Sequence, residues 1–251
     1  MGLGLTGKVA LVTGGSRGIG AAAAKRLAAG GAAVIINYLK NGEKAEEVLE
    51  EVRRAGGRGM AIRADVRVTE EVERMAEEGL SEFGSIDILV NNANIHFPVK
   101  PFVSLSWEEI ETKITDELKA LYNCSQAVLK DMVKRKSGRL IFVSSGLSRY
   151  PAYGFSAHAG AKAAMDAMAR VMAYELGPSG ITVNVVGPGL IKTDATAGFD
   201  AAQLKTVSDM TPLRRNGEPD DVAGIIAYLA SPLADFVTGQ YIHVNGGIFM
   251  N

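Results

Sequence analysis

Two stretches of this sequence carry residue types and spacings that can do chemistry. The first is Thr13-Gly14-Gly15-Ser16-Arg17-Gly18-Ile19-Gly20, set between an apolar run and a stretch of helical period. Glycines there permit a tight turn and close approach of the backbone to a phosphate pair. The helix start adds free N–H groups and a partial positive charge. Gly14, Ser16, Arg17, Gly18, Ile19 and Gly20 are the expected contacts. The second stretch is Ser156-Ala157-His158-Ala159-Gly160-Ala161-Lys162. A helical period puts His158 and Lys162 on one face, a turn apart. Imidazole titrates near neutrality, so His158 is a candidate acid or base.

The elements that must position these residues can be read from hydrophobic pattern. Apolar, β-rich runs fall at Val9–Thr13, Ala33–Asn37, Met60–Ala64, Ile86–Asn91, Leu140–Ser144, Thr182–Val186 and Tyr241–Val244. They are apolar on both faces, as a sheet covered on both sides requires. Helical stretches lie between them, at Gly18–Ala29, Gly42–Ala55, Thr69–Phe83, Ser106–Lys136, Ala157–Gly177 and Pro219–Ala230. This alternation predicts an α/β fold over residues 1–251: a single-domain, Rossmann-type, doubly wound parallel sheet of about seven strands with helices on both faces. Local signals set some boundaries. Gly56 suits a left-handed cap, Thr69 with Glu70 and Glu71 suits a capped helix start, and Pro219 suits a first turn. The irregular stretch Gly187–Arg215 follows a strand, at the end of the sheet where ligands bind. Its part at about 194–215 reads as a lid carrying Phe199, Leu204, Val207, Met210 and Leu213. Either these pack a short helix or they meet a substrate with an apolar part.

Charge selects the dinucleotide. A carboxylate ending the second strand would bind ribose hydroxyls and repel a 2′-phosphate. Here that place reads Asn37-Tyr38-Leu39-Lys40, with no acid before Glu43. Arg17 and Lys40 are free to face a 2′-phosphate, so the expected cofactor is NADP(H).

The T-G-x-x-x-G-x-G turn resembles that of the short-chain dehydrogenase/reductase family, and further motifs follow in the family's order. Asp65-Val66 follows the third strand, Asn91-Asn92-Ala93 ends the fourth, and Ser144-Ser145 ends the fifth. Lys162 lies on the next long helix, and Pro188-Gly189 follows the sixth strand with Thr193 close behind. The resemblance is to the classical type, similar to 3-oxoacyl-carrier-protein reductases and related enoyl reductases. It implies cofactor contacts from Asp65, Val66, Asn92, Lys162, Pro188, Gly189 and Thr193. It further implies hydride transfer to a carbonyl carbon, with a serine polarising the oxygen and a tyrosine exchanging the proton. A lysine tunes that tyrosine, and an asparagine holds a relay water.

Ser145 and Lys162 match that pattern and three positions depart from it. His158 stands where the tyrosine belongs, four before Lys162. Glu117 takes the asparagine's place, in a segment from Trp107 a few residues longer than usual. Asn94 replaces a glycine. Enoyl reductases that place a tyrosine seven before the lysine are not matched either, since Phe155 is there. Two readings compete. In one, the protein is an oxidoreductase acting on a carbonyl or enoyl substrate with an atypical donor. That donor is His158, oriented by Glu117, with Lys162 a turn away pushing its pKa down and Glu117 pushing it up, or a phenol from the Tyr150–Tyr153 loop, Tyr153 second to His158. In the other, it binds NADP(H) with little or no redox activity, as a sensor or partner-binding protein. A lyase or isomerase using Glu117 and His158 is the third.

The remaining features narrow the setting. Lys+Arg number 27 against 28 Asp+Glu, which gives no reason to expect nucleic acid or an anionic membrane. No apolar run reaches the roughly 18 residues of a membrane span, and the cytoplasm is the expected location. The one cysteine, Cys124, reads as helix packing. Three scattered histidines offer no metal spacing; His96 reads as a loop residue and His243 as a packed one. Asn245-Gly246-Gly247 reads as a turn. The substrate is expected to be a small molecule, an acyl thioester or other partly apolar carbonyl compound. The resemblance implies a homotetramer through the two long helices and the last strand.

Overall fold

The computed structural model describes residues 2–250. Seven parallel strands form one sheet, in the order β3-β2-β1-β4-β5-β6-β7. They are β1 Val9–Val12, β2 Ala33–Tyr38, β3 Gly59–Arg63, β4 Ile88–Asn91, β5 Gly138–Val143, β6 Ile181–Pro188 and β7 Tyr241–Val244. The helices are α1 Gly18–Ala29, α2 Gly42–Arg54, α3 Thr69–Phe83, α4 Trp107–Arg135, α5 Ser156–Leu176, α6 Ala201–Met210 and α7 Pro219–Ala230.

Successive side chains of a strand point to opposite faces, and the sheet builds two cores that way. Ala10 and Val12 of β1 join the core under α1, α2 and α7, whereas Val9 and Leu11 join the one under α3, α4 and α5. The small residues Ala21, Ala22, Ala23 and Ala24 let α1 sit close. The strand order reverses direction between β1 and β4. The crevice beyond their carboxyl ends is the topological switch point of such a sheet, where ligands bind.

The expected architecture holds, with local corrections. Gly56 is left-handed at φ +82. Thr69 is the first residue of α3, not its cap: Val68 precedes it without a side-chain cap bond, and the Thr69 hydroxyl donates to Asn123 Oδ1 at 3.2 Å. Ser106 caps α4 in a reciprocal pair with Glu109, so the helix begins one residue later than read. The stretch around 194–215 is not wholly irregular. Asp200 and Gln203 form a capping box that starts α6, a helix-start signal of the usual spacing. Gly246 and Gly247 both take positive φ, and Asn245 Oδ1 accepts from Gly247 N–H at 2.9 Å, which makes the turn read from sequence.

Candidate active site

The glycine turn is shaped by contacts that leave no room for side chains. Gly14 and Gly18 lie at φ +61 and +54, a region open chiefly to glycine. A Cβ on Gly20 would fall 2.3 Å from the Gly14 carbonyl oxygen and 2.5 Å from Asn92 Nδ2. Thr13 and Asn92 lock the turn to β4. The Thr13 hydroxyl accepts from the backbone N–H of Asn92 at 2.9 Å and of Ala93 at 3.0 Å, while Asn92 Nδ2 donates to the Thr13 carbonyl at 2.9 Å. Asn37 does the same from the other side, accepting from Gly14 N–H at 3.2 Å and donating to the Ala64 carbonyl at 3.0 Å. Asn37 and Asn92 therefore build the cradle with their side chains. The start of α1 has no side-chain cap and no acid in its first turn, so its donors and partial positive charge remain available to an anion. These features fit a dinucleotide phosphate pair.

The neighbouring residues frame the rest of that groove. Ser16 and Val66 are buried, and Ile19 packs against the α1 side core. Tyr38 lies beside Gly42, and Lys40 is exposed. Asp65 is held by Arg67 at 2.7 Å, and Arg67 reaches on to Asp116 at 3.0 Å. The Arg67 hydrogen bond keeps the Asp65 carboxyl below its usual range. Pro188 ends β6, and the Gly189 N–H donates to the Val244 carbonyl at 3.0 Å. The Thr193 methyl lies where a Gly18 Cβ would come within 3.2 Å of it. Sequence reading missed one cation here. Asp194 pairs with Arg17 at 3.2 Å and with Lys44 at 3.1 Å, so Lys44 rather than Lys40 is joined to Arg17.

Beyond the cradle lies a buried charged cluster. Lys162 Nζ donates to the Val143 carbonyl at 2.8 Å and pairs with Glu117 Oε1 at 2.6 Å. The other Glu117 oxygen takes Lys113 Nζ at 2.5 Å. Lys113 and Glu117 are each 1% exposed, Lys162 3% and His158 7%. Burial works to raise the Glu117 carboxyl, but Lys162 and Lys113 together outweigh it and bring it to about 2. The expectation that Glu117 orients His158 is corrected, because both carboxylate oxygens are engaged by lysines. Its charge does act to raise the His158 pKa, as expected, but is outweighed. His158 instead stacks on Phe97, ring centres 4.3 Å apart and planes 20° apart, with Phe155 edge-on at 6.4 Å. Burial, then Lys162 and Lys113, push its imidazolium down to about 3. The ring is therefore neutral at neutral pH, with Nδ1 buried and unbonded to protein.

Ser145 lies two residues beyond β5, half-buried, at the start of the short turn Gly146–Ser148. Its Oγ accepts from Leu147 N–H at 3.2 Å, and its carbonyl accepts from the Tyr241 hydroxyl at 2.8 Å. Tyr153 stands 83% exposed, outside the buried cluster. The Tyr150 phenol is not free, since it donates to the Met250 carbonyl at 2.7 Å. Cys124 is buried as read, its thiol pushed up to about 12 by burial. Among the described residues no group of three His, Cys, Asp or Glu is placed to hold a metal.

The family profile described as enoyl-(acyl carrier protein) reductase matches residues 14–249. The chain belongs to the short-chain dehydrogenase/reductase family. A 3-oxoacyl-[acyl-carrier-protein] reductase of Staphylococcus epidermidis is 40% identical over 243 residues, which is 97% of this chain and 99% of the relative. Among solved structures, a short-chain dehydrogenase from Burkholderia cenocepacia J2315 in complex with NADP is 37% identical, with TM-score 0.88 over 97% of this chain and 98% of that one. A 7α-hydroxysteroid dehydrogenase complexed with NADH and 7-oxo glycochenodeoxycholic acid is 33% identical, with TM-score 0.93 over 98% and 95%. The three positions that the resemblance sets apart, Asn94, Glu117 and His158, gather in one place with Lys113 beside Lys162.

Proposed function

We propose that the protein is an NADP(H)-dependent oxidoreductase that transfers hydride to or from a carbonyl or enoyl substrate, with His158 in the place of the usual phenol. Residues 1–251 act as one unit with the lid at about 194–215. The observation that carries this is the buried His158–Lys162–Glu117 group set beyond a glycine cradle fit for a phosphate pair. Arg17 and Lys44, with no acid ending β2, support the phosphorylated cofactor. So does the NADP bound to the Burkholderia relative. When bound, the cofactor supplies or accepts the hydride. The cradle residues Gly14, Ser16, Gly18, Ile19 and Gly20 would hold its phosphates, Asp65, Val66, Pro188, Gly189 and Thr193 would contact the rest, and Lys162 would bind the ribose.

A neutral imidazole is a hydrogen-bond donor, and neutral imidazoles can polarise a carbonyl. His158 acts here in that way, with Ser145 as the second donor to the same oxygen; as the hydride arrives, the imidazole N–H proton passes to the oxygen and the ring regains a proton from solvent. Phe97 and Phe155 line the side where an apolar acyl or ring substrate lies. The acyl-carrier-protein reductase relatives favour an acyl thioester.

The low imidazolium pKa also favours the second reading, a cofactor-binding protein with little turnover, because a neutral imidazole gives up a proton reluctantly. One experiment separates them. The purified protein is mixed with NADPH and a panel of carbonyl and enoyl thioesters, and nicotinamide absorbance is followed with pH. Turnover that His158→Ala lowers by about 100-fold or more, and that Tyr153→Phe keeps, is expected. Saturable NADPH binding without turnover on any substrate would establish the second reading.

A further inference from the structure

One charged group in the buried cluster has no part in the reaction just outlined. Lys113 lies on the inward face of α4, a turn before Glu117. Its ammonium bonds in three directions: to Glu117 Oε2 at 2.5 Å, to the Ile95 carbonyl at 2.7 Å and to Asn94 Oδ1 at 3.3 Å. It also lies 4.9 Å from the centre of the Phe97 ring, the ring on which His158 is stacked. A single buried cation thus ties α4 to the loop after β4 and to the aromatic plate under the imidazole.

Packing alone gives no reason for an ammonium there. Burying a charge costs several kcal/mol unless each proton finds an acceptor, and an apolar side chain of similar volume is often no less stable. Here every N–H has an acceptor, and two of the three belong to the loop that carries Phe97. One of those acceptors, Asn94, stands where the family has a glycine without a side-chain oxygen.

We propose that Lys113 is a positioning residue for the reaction: through Asn94, Ile95 and Phe97 it holds the His158 imidazole in one orientation toward the substrate. The proposal rests on the reading of His158 as the donor. The charged groups facing Lys113 are Glu117 and Asp116 from α4 and Lys162 from α5, with the His158 ring beside them. Two ammonium groups against the Glu117 carboxylate leave a surplus positive charge beside His158. Lys113 is one of the two cations that oppose its protonation. Burial brings Lys113 itself down to about 8.

The chain has three histidines, so the imidazole ¹⁵N resonances can be assigned with single variants. They are recorded from pH 4 to 9 in the wild type and in Lys113→Met, with and without NADPH. The wild type should give one sharp His158 set that does not titrate above pH 5. In Lys113→Met that set should broaden or double, and its protonation midpoint should rise by about one unit or more as a cation is lost. NADPH affinity should stay within about twofold, while kcat falls about tenfold or more with KM little changed. A His158 spectrum and titration indistinguishable from wild type overturns the proposal, whatever the rate does. If the wild type turns over no substrate, the donor reading fails by itself and the imidazole signals still decide on Lys113. If Lys113→Met does not fold, Asn94→Ala removes one acceptor at the loop and should broaden the same signals. Unchanged signals there reduce Lys113 to a structural role.

Discussion

His158 has two different acidities in this protein. In the unfolded chain it protonates near 6.5, whereas in the fold burial and the two lysines hold it down to about 3. Between those values the unfolded chain binds a proton that the native one refuses. Stability therefore falls as pH drops through that window, by about 1.4 kcal/mol per unit. Glu117, depressed to about 2, adds to the loss only below about 4.5. Urea unfolding compared at pH 6.5 and 5 should cost the wild type about 2 kcal/mol more than His158→Tyr. Equal losses would take the imidazole out of the buried cluster. His158, Glu117 and Asn94 stood out in the sequence because the family resemblance implies a tyrosine, an asparagine and a glycine at those places. Lys113 was not singled out, since a lysine four before a glutamate looks like a surface helix pair. A signal was present: Lys113, Glu117, Ala120, Leu121, Cys124 and Val128 recur at helical spacing and are all buried. The stripe sets both charges on an apolar face. What it could not convey is that a second lysine, from α5, would claim the carboxylate expected to orient His158.

At the scale of elements, the short turn at Asp194–Thr196 is tied to α1 and α2 by one carboxylate. Asp194 holds Arg17 and Lys44 at once, and those cations are the ones a 2′-phosphate would use. Each pair is about half exposed, so each contributes at most about 1 kcal/mol. Cofactor binding must break or share them. Asp194→Asn should therefore tighten NADPH about three- to fivefold while leaving NADH within about twofold, read by nicotinamide fluorescence titration. An equal gain for both cofactors would show that the clasp does not compete with the extra phosphate. Strand and helix order was legible because apolar runs and helical periods alternate cleanly. The ends shifted by a residue or two, because parallel strands extend until backbone pairing stops, not until apolarity does. Ile86, apolar and buried, precedes β4 for that reason. Helix α6 was read only as one alternative for the 194–215 stretch and without bounds, although its capping box at Asp200 and Gln203 marks its start.

For the whole molecule, the described residues leave one side of α5 without a cover. Gly160, Ala163, Ala167, Val171 and Tyr174 are exposed at successive helical turns, with Val171 at 56% and Tyr174 at 87%. Small residues in such a row let two helices approach closely, and a two-fold axis would set each stripe against its own copy. Strand β7 is an edge of the sheet, and Phe236 nearby in sequence is fully exposed. An edge strand and an exposed apolar helix face on one chain offer two separate surfaces for self-association, the number a closed tetramer of two-fold contacts needs. Light scattering should give about four times the 26.5 kDa chain mass. Ala167→Arg sets like charges against each other across the helix contact, so the same measurement should fall to a dimer held by the strand side. Since His158 and Lys162 ride on the opposite face of α5, the variant should still bind NADPH. A wild-type monomer would mean that neither surface closes on a copy of itself.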